Sequence, residues 1–318
     1  MKVGIYNGGK SPFEAGLCPT FRKAESILQF YILIGLVTSL WGLSFPTMKI
    51  GLSVMQPFTF LLFRSLVSSI TIFSLILIRR GAFCPPKGRP EFWWNIILHN
   101  LMFIPLYYGA AITTSGRASV FLYTQPLFYA ALAVWFIPSE RLGMRSFMGI
   151  AAAFIGMIVM FGEKLETGEA HALLGDGLVI LAALIWGIQS LYLRQNLKGI
   201  DPFRIAAWTQ MIAIPFFLFF ALLMGLEFPD FTNQAVIISV GYNGFIGTGL
   251  AMVLWVRLLA GYSPTRVSAF MFLTPVFGVF LGSLILTEPV TGFMLAGAAL
   301  VAAGIYLVNT DSHQRSDV

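Results

Sequence analysis

The sequence predicts an all-α integral membrane protein: ten transmembrane helices in two inverted five-helix repeats, with the N- and C-termini cytoplasmic. Three observations predict it: an excess of apolar residues, a one-sided distribution of basic residues, and an internal duplication. Of the 318 residues, 57% are hydrophobic and only 11% are charged, where a soluble domain carries roughly a quarter charged. So little polar surface cannot cover the chain in water, and lipid must take part of it. Length is no obstacle, since each crossing of about 30 Å of hydrocarbon needs roughly 20 apolar residues.

Apolar runs bounded by charges or turn residues place the spans in order. In the first half they are Ile27–Ile50, Pro57–Ile78, Phe92–Thr113, Ala118–Ile137 and Ser146–Phe161. In the second they are Leu173–Leu193, Pro202–Leu226, Ala235–Arg257, Thr265–Leu286 and Val290–Asn309. The third is interrupted by His99, Asn100 and Pro105, and the fifth is short. Residues 1–26 then form a cytoplasmic N-terminal segment, 27–162 the first repeat, 173–309 the second and 310–318 a cytoplasmic tail. The N-terminal segment is polar, and the apolar run after it is too long for a cleavable signal peptide.

Loop charges test this assignment. With the N-terminus inside, the cytosolic segments hold Lys2, Lys10, Arg22, Lys23, Arg79, Arg80, Lys87, Arg89, Arg141, Arg145, Arg194, Lys198, Arg204, Arg257, Arg266 and Arg315, 16 of the 20 basic residues. Lys49, Arg117 and Lys164 fall outside, with the acids Glu163, Glu166, Glu169, Glu227 and Asp230, while Arg64 lies within a span. Basic residues gather on the cytosolic side of short loops. A missed or extra helix would invert every later loop and destroy the asymmetry. Cys18 and Cys84 both fall on the cytosolic side, where disulfides are rare.

The duplication is legible residue by residue. Trp41-Gly42, Lys49 and Pro57-Phe58 recur as Trp186-Gly187, Arg194 and Pro202-Phe203 at an offset of 145. Arg117, Ser119, Phe121, Pro126 and Phe128 recur as Arg266, Ser268, Phe270, Pro275 and Phe277 at 149, and Glu140, Gly149 and Gly156 as Glu288, Gly297 and Gly304 at 148. Five helices per copy is an odd number, so the second copy must cross the bilayer in the opposite sense. Inverted repeats of this kind put a solute site near the midplane between the halves and let it open to either side in turn.

These motifs resemble the drug/metabolite transporter superfamily, and within it the EamA family of ten-helix carriers. The resemblance rests on Trp41-Gly42, on Pro57 followed by Arg64 in PFTFLLFRSL, and on RASVFLYTQPLFYAALAVWFIPSERL ahead of the glycine-spaced MGIAAAFIGMIVM. The second half repeats the pattern in RVSAFMFLTPVFGVFLGSLILTEPV and LAGAALVAAGIYLV. It covers nearly all the chain after about residue 30. What it implies is a secondary active transporter, an exporter by the commoner direction, carrying amino acids or related amphipathic solutes by alternating access. A proton is the implied candidate coupling ion, and the cell (inner) membrane the implied location.

Polar and aromatic residues in the spans are the candidates for lining a solute cavity, because lipid offers them no partner. Arg64 fits two roles: a counter-charge for an anionic group, or a guanidinium that snorkels or binds helix carbonyls. Trp41 and Ser44 share a face of the first helix, as Trp186, Gln189 and Ser190 do on the sixth, and inverted symmetry aims both sets at one volume. The alternative is packing behind Gly42 and Gly187. Tyr107, Tyr108, Tyr123, Gln125, Tyr242, Asn243, Trp255 and Thr274 complete the cavity candidates. Their helices are among those that line the cavity in carriers of the resembled family. Pro126 and Pro275 are hinge candidates, since each removes a backbone hydrogen bond and kinks its helix. Gly149, Gly156, Gly297 and Gly304 suit close packing or a homodimer contact. Glu140 and Glu288 read as helix-start carboxylates. His99 reads as polar packing and Asp176 as a solvated group near an outer end.

Other classes find no support. There is no phosphate-binding loop, nucleophile elbow or zinc-ligand spacing, so neither a cofactor nor a metal is expected. The basic residues sit in loops, so no nucleic-acid partner is expected. The expected partners are a small-molecule substrate and the lipid bilayer. The spans offer no nucleophile–base set for an intramembrane lipid-modifying enzyme. A non-transporting membrane scaffold is the remaining alternative.

Overall fold

The computed structural model of the chain describes residues 19–78, 83–113, 115–136, 143–161, 170–262, 264–278 and 291–316. Cys18, the paired Glu140 and Glu288, and Glu163, Lys164, Glu166 and Glu169, expected in an outer loop, lie outside them. Every element among the described residues is helical: α1 (Pro19–Gly42), α2 (Ser44–Leu52), α3 (Pro57–Ile78), α4 (Pro90–Ile112), α5 (Ser115–Leu122), α6 (Gln125–Phe136) and α7 (Met144–Phe161) in the first half. The second half comprises α8 (Ala170–Asn196), α9 (Pro202–Leu223), α10 (Gln234–Gly241), a π-helical segment (Tyr242–Leu250), α11 (Ala251–Gly261) and α12 (Pro264–Phe270). A helical run over 273–278 (α13) and α14 (Gly292–Ser316) complete it.

Among the described residues, six segments are long and apolar enough to cross a membrane: Ile27–Leu52, Pro57–Ile78, Pro90–Ile112, Leu173–Asn196, Pro202–Leu223 and Gln234–Leu259. Shorter apolar helices lie at Val120–Ala133, Met144–Val159 and Leu295–Val308. Their outer faces are apolar: Ile78, Trp135, Leu173 and Leu295 are all more than half exposed. In water that would be costly, whereas in hydrocarbon it is neutral.

Four of the expected single helices are not uniform. The first breaks at Leu43 between α1 and α2. Pro46 explains the break: its ring meets the carbonyl four residues back, at Gly42, and it has no N–H to donate. The fourth and ninth spans break at Tyr123–Thr124 and Met271–Phe272, one residue or two before the helices carrying Pro126 and Pro275 resume. Turn-type bonds bridge the breaks, from Leu127 N–H to the Thr124 carbonyl (2.9 Å) and from Thr274 N–H to the Met271 carbonyl (2.9 Å). The eighth span contains the π-helical turn at Tyr242–Leu250, whose sequence YNGFIGTGL carries three glycines. Hydrophobic periodicity carries no sign of it.

Close crossings rest on glycines in equivalent places. A Cβ built on Gly149 would lie 2.6 Å from the Gly304 carbonyl oxygen, and one on Gly156 2.7 Å from that of Gly297. The first glycine of α7 therefore meets the second of α14 and the reverse, so these equivalent helices run antiparallel. All four glycines take part in this packing within the chain. Gly42 backs onto Thr274, Phe277 and Gly278, and Gly187 onto Gln125, Phe128 and Tyr129. The second contact is the first translated by the repeat offsets. Gly109 and Gly175 join α4 to α8 in the same way.

Gly149→Val should therefore destabilise the fold by about 1–3 kcal/mol, the usual cost of overpacking. Gly35→Ala, with nothing within 4 Å of its new methyl group, should be neutral. Thermal denaturation of the two variants in detergent measures the contrast.

Candidate functional site

A cavity of about 110 Å³ lies between the halves. Cavities of about 150 Å³ accept a benzene-sized guest, so this one has room for a solute smaller than that. Its walls come from α1, α2, α3, α4, α5, α8, α11 and the π-helical segment.

Three tryptophans form one side. Trp41 from the last turn of α1, Trp186 from α8 and Trp255 from α11 have ring centroids 5.3–5.9 Å apart in every pairing, tilted or edge-on. Such geometry suits the aromatic quadrupole. The break after Gly42 and the π-helical turn set this arrangement: the Trp41 indole N–H donates to the Gly247 carbonyl at 2.7 Å. The Tyr242 hydroxyl donates to the last-turn carbonyl of Leu40, also at 2.7 Å. Asn243 donates from Nδ2 to Thr47 Oγ1 (2.9 Å) and to the Ser239 carbonyl (3.0 Å). The π-helical glycines let α3 approach: a Cβ on Gly244 would sit 2.6 Å from Val67 Cβ and 3.0 Å from the Arg64 carbonyl.

Arg64 supplies the opposite wall. It is 4% exposed. One guanidinium nitrogen, Nη1, donates to the Tyr107 hydroxyl at 3.2 Å. The guanidinium carbon lies 4.2 Å from the Phe103 ring centre and 5.4 Å from that of Tyr107, distances at which a cation is attracted to the ring face. His99 flanks it, with its ring 5.2 Å from that of Phe103.

The structure thus brings Trp41, Ser44, Arg64, Tyr107, Tyr123, Trp186, Asn243 and Trp255 to one cavity. Tyr108 faces elsewhere, in an apolar cleft with Leu101, Ile104, Pro105, Leu178, Leu181 and Ile185. Gln189 donates to Asn95 Oδ1 at 2.9 Å, and Tyr242 serves as the strut just described. Gln125, Ser190 and Thr274 are buried away from the cavity wall, two of them with carbonyls against the crossing glycines. Sequence reasoning did not select Phe45, Met48, His99, Met102, Phe103, Leu106, Leu122, Gly247, Thr248 or Met252 as wall residues. The spacing of His99, Phe103 and Tyr107, each four apart on α4 as one helical stripe, was the available signal.

Asp176 needs correcting: it is 4% exposed rather than solvated. It receives Arg117 Nε at 3.0 Å to Oδ2, the adjoining Nη2, and the Thr113 hydroxyl at 2.8 Å. Beside it, Lys49 Nζ caps the end of α4, donating to the Ala110 (3.1 Å) and Thr113 (2.9 Å) carbonyls. At the repeat-equivalent place, Arg266 lies over the Phe30 ring at 4.7 Å with Nη2 3.5 Å from the Tyr31 hydroxyl.

The profile of the EamA-like transporter family matches residues 29–162 and again 173–310. The chain is 29% identical over 287 residues to the uncharacterized transporter YoaV of Bacillus subtilis (strain 168), covering 89% of this chain and 97% of that protein. It is 30% identical over 292 residues to a probable amino-acid metabolite efflux pump of Salmonella typhimurium (strain LT2), covering 86% of this chain and 92% of that protein. A solved crystal structure superposes with a TM-score of 0.77 at 15% identity over 88% of this chain and 98% of that one, a likeness of fold.

Asp176→Ala should cost about 3–5 kcal/mol, since it strips a buried guanidinium of its carboxylate. The double variant with Arg117→Leu should cost less than the two single changes added together. Denaturation of all three in detergent gives the coupling.

Proposed function

Since the chain belongs to the EamA-like transporter family, in the drug/metabolite transporter superfamily, we propose that it is a secondary active carrier exporting small metabolites, amino acids or related amphipathic solutes, by alternating access. In this reading ten spans form two inverted five-helix repeats of residues 27–162 and 173–309, both termini are cytoplasmic, and the protein works in the inner membrane. A proton gradient drives it.

One observation carries the reading. Trp41 and Trp186, equivalent by the duplication, meet at one cavity between halves whose equivalent helices α7 and α14 cross antiparallel. A site on such an axis can exchange one set of half-specific contacts for the equivalent set, which is what two-sided access requires. The breaks ahead of Pro126 and Pro275 support hinging there, because chain at a helix break bends without stretching a regular ladder. The Arg117–Asp176 pair, tying α5 to α8, suits a contact that forms in one state and opens in the other. The amino-acid class is supported by the printed name of the Salmonella relative.

Flux by the purified full-length protein in liposomes tests the proposal, across a broad panel of amino acids and related metabolites, with and without an imposed proton gradient. Movement of at least one class, accelerated by the gradient, is expected. A folded protein that moves none of them favours the scaffold. Trp186→Phe, which keeps a ring in the buried aromatic cluster, should lower flux by about tenfold or more, equivalent to about 1.4 kcal/mol, and lower the melting temperature only slightly. Equal loss of both would mean that the ring only packs.

A further inference from the structure

Among the described residues, the cavity wall carries the Arg64 cation and no anion. Of its nitrogens, Nη1 is committed to Tyr107, while Nε and Nη2 have no hydrogen-bond partner among the described residues. A guanidinium buried to this degree with two donors unspent is costly unless something completes it. The two free nitrogens lie on the same edge of the guanidinium, the fork that takes both oxygens of a carboxylate. The same protein shows that edge filled: Arg117 uses Nε and Nη2 to hold the Asp176 carboxylate. Arg64 is a wall residue of the central cavity, and among the described residues no aspartate is set against this edge.

The remaining wall limits the rest of the occupant. Its residues include Met48, Leu106, Leu122 and Met252 besides the tryptophans, and among the described residues it contains no aspartate or glutamate. An ammonium group would leave water and gain no carboxylate. His99, with Nε2 also lacking a partner, stands beside the guanidinium as a further polar contact.

We propose that the occupant of this cavity is an organic monoanion, its carboxylate held by the Nε–Nη2 edge of Arg64 and its apolar body lying among Trp41, Trp186 and Trp255. The proposal rests on the carrier reading and narrows its substrate class: a carboxylate without an ammonium group is preferred to a zwitterion or a cation.

Three small probes of one shape test it: butyrate, 1-butanol and butylamine, titrated calorimetrically into the full-length protein in detergent. Butyrate should bind at least about tenfold tighter than the other two, the scale of a bidentate charge-assisted contact. Arg64→Gln should bring it down to the level of the alcohol, and Arg64→Lys, which keeps the charge and loses the fork, should fall between. Should Arg64→Gln fail to fold, the ranking in the unaltered protein decides. Equal binding of acid and amine, no binding of any probe, or an Arg64→Gln protein that binds the acid undiminished would each overturn the proposal. Continued gradient-driven flux of other solutes in those cases would leave the carrier reading standing; absence of all flux would end both.

Discussion

Hydrocarbon accepts and donates no hydrogen bonds, and this constraint organises the interior. A polar side chain within a span must find its partner inside the protein, and here many of those partners belong to the other half. Ser68 on α3 donates to Gln210 Oε1 on α9 at 2.9 Å, Asn100 on α4 donates to the Thr209 carbonyl at 3.2 Å, and Gln189 on α8 donates to Asn95 on α4. Each bond is worth only about 0.6–2 kcal/mol in a membrane. Their value lies in register, since a helix rotated by one residue would turn these groups toward lipid.

Glycine supplies the complementary condition. With no hydrophobic drive between helices in lipid, contact area and close approach hold them together. Gly42, Gly109, Gly149, Gly156, Gly175, Gly187 and Gly304 each have backbone of another helix where a Cβ would be. Polar bonds therefore set register while glycines set distance.

Arg64 and Arg117 show how the same side chain acquires opposite characters. Both are buried and both border apolar surroundings. Arg117 is completed from within by Asp176 and forms a tie between the fourth and sixth spans. Among the described residues Arg64 has only aromatic faces and one hydroxyl, and two of its donors have no partner. The difference is a matter of neighbours brought from 59 residues away in the one case and absent in the other.

Membrane residence, the family and the duplication were legible in the residues themselves, because apolar content, loop charge and ordered motif repeats are properties of the linear chain. Arg64, Trp41 and Trp186 stood out for the same reason: a charge or a repeated Trp-Gly in an apolar run is visible without coordinates. Asp176 was misread because burial of an acid near a helix start depends on Arg117 arriving from another helix. The π-helical turn at Tyr242–Leu250 was invisible because it departs from the very periodicity by which helices are read. Tyr108 and Tyr107 are neighbours in sequence and indistinguishable in type, yet the roughly 100° step of a helix turns one toward the cavity and its neighbour toward an outer cleft. Sequence alone determined which residues are exceptional in lipid; only the packing of the halves decided which of them meet, because the direction of a side chain is set by the crossing of helices far apart in the chain.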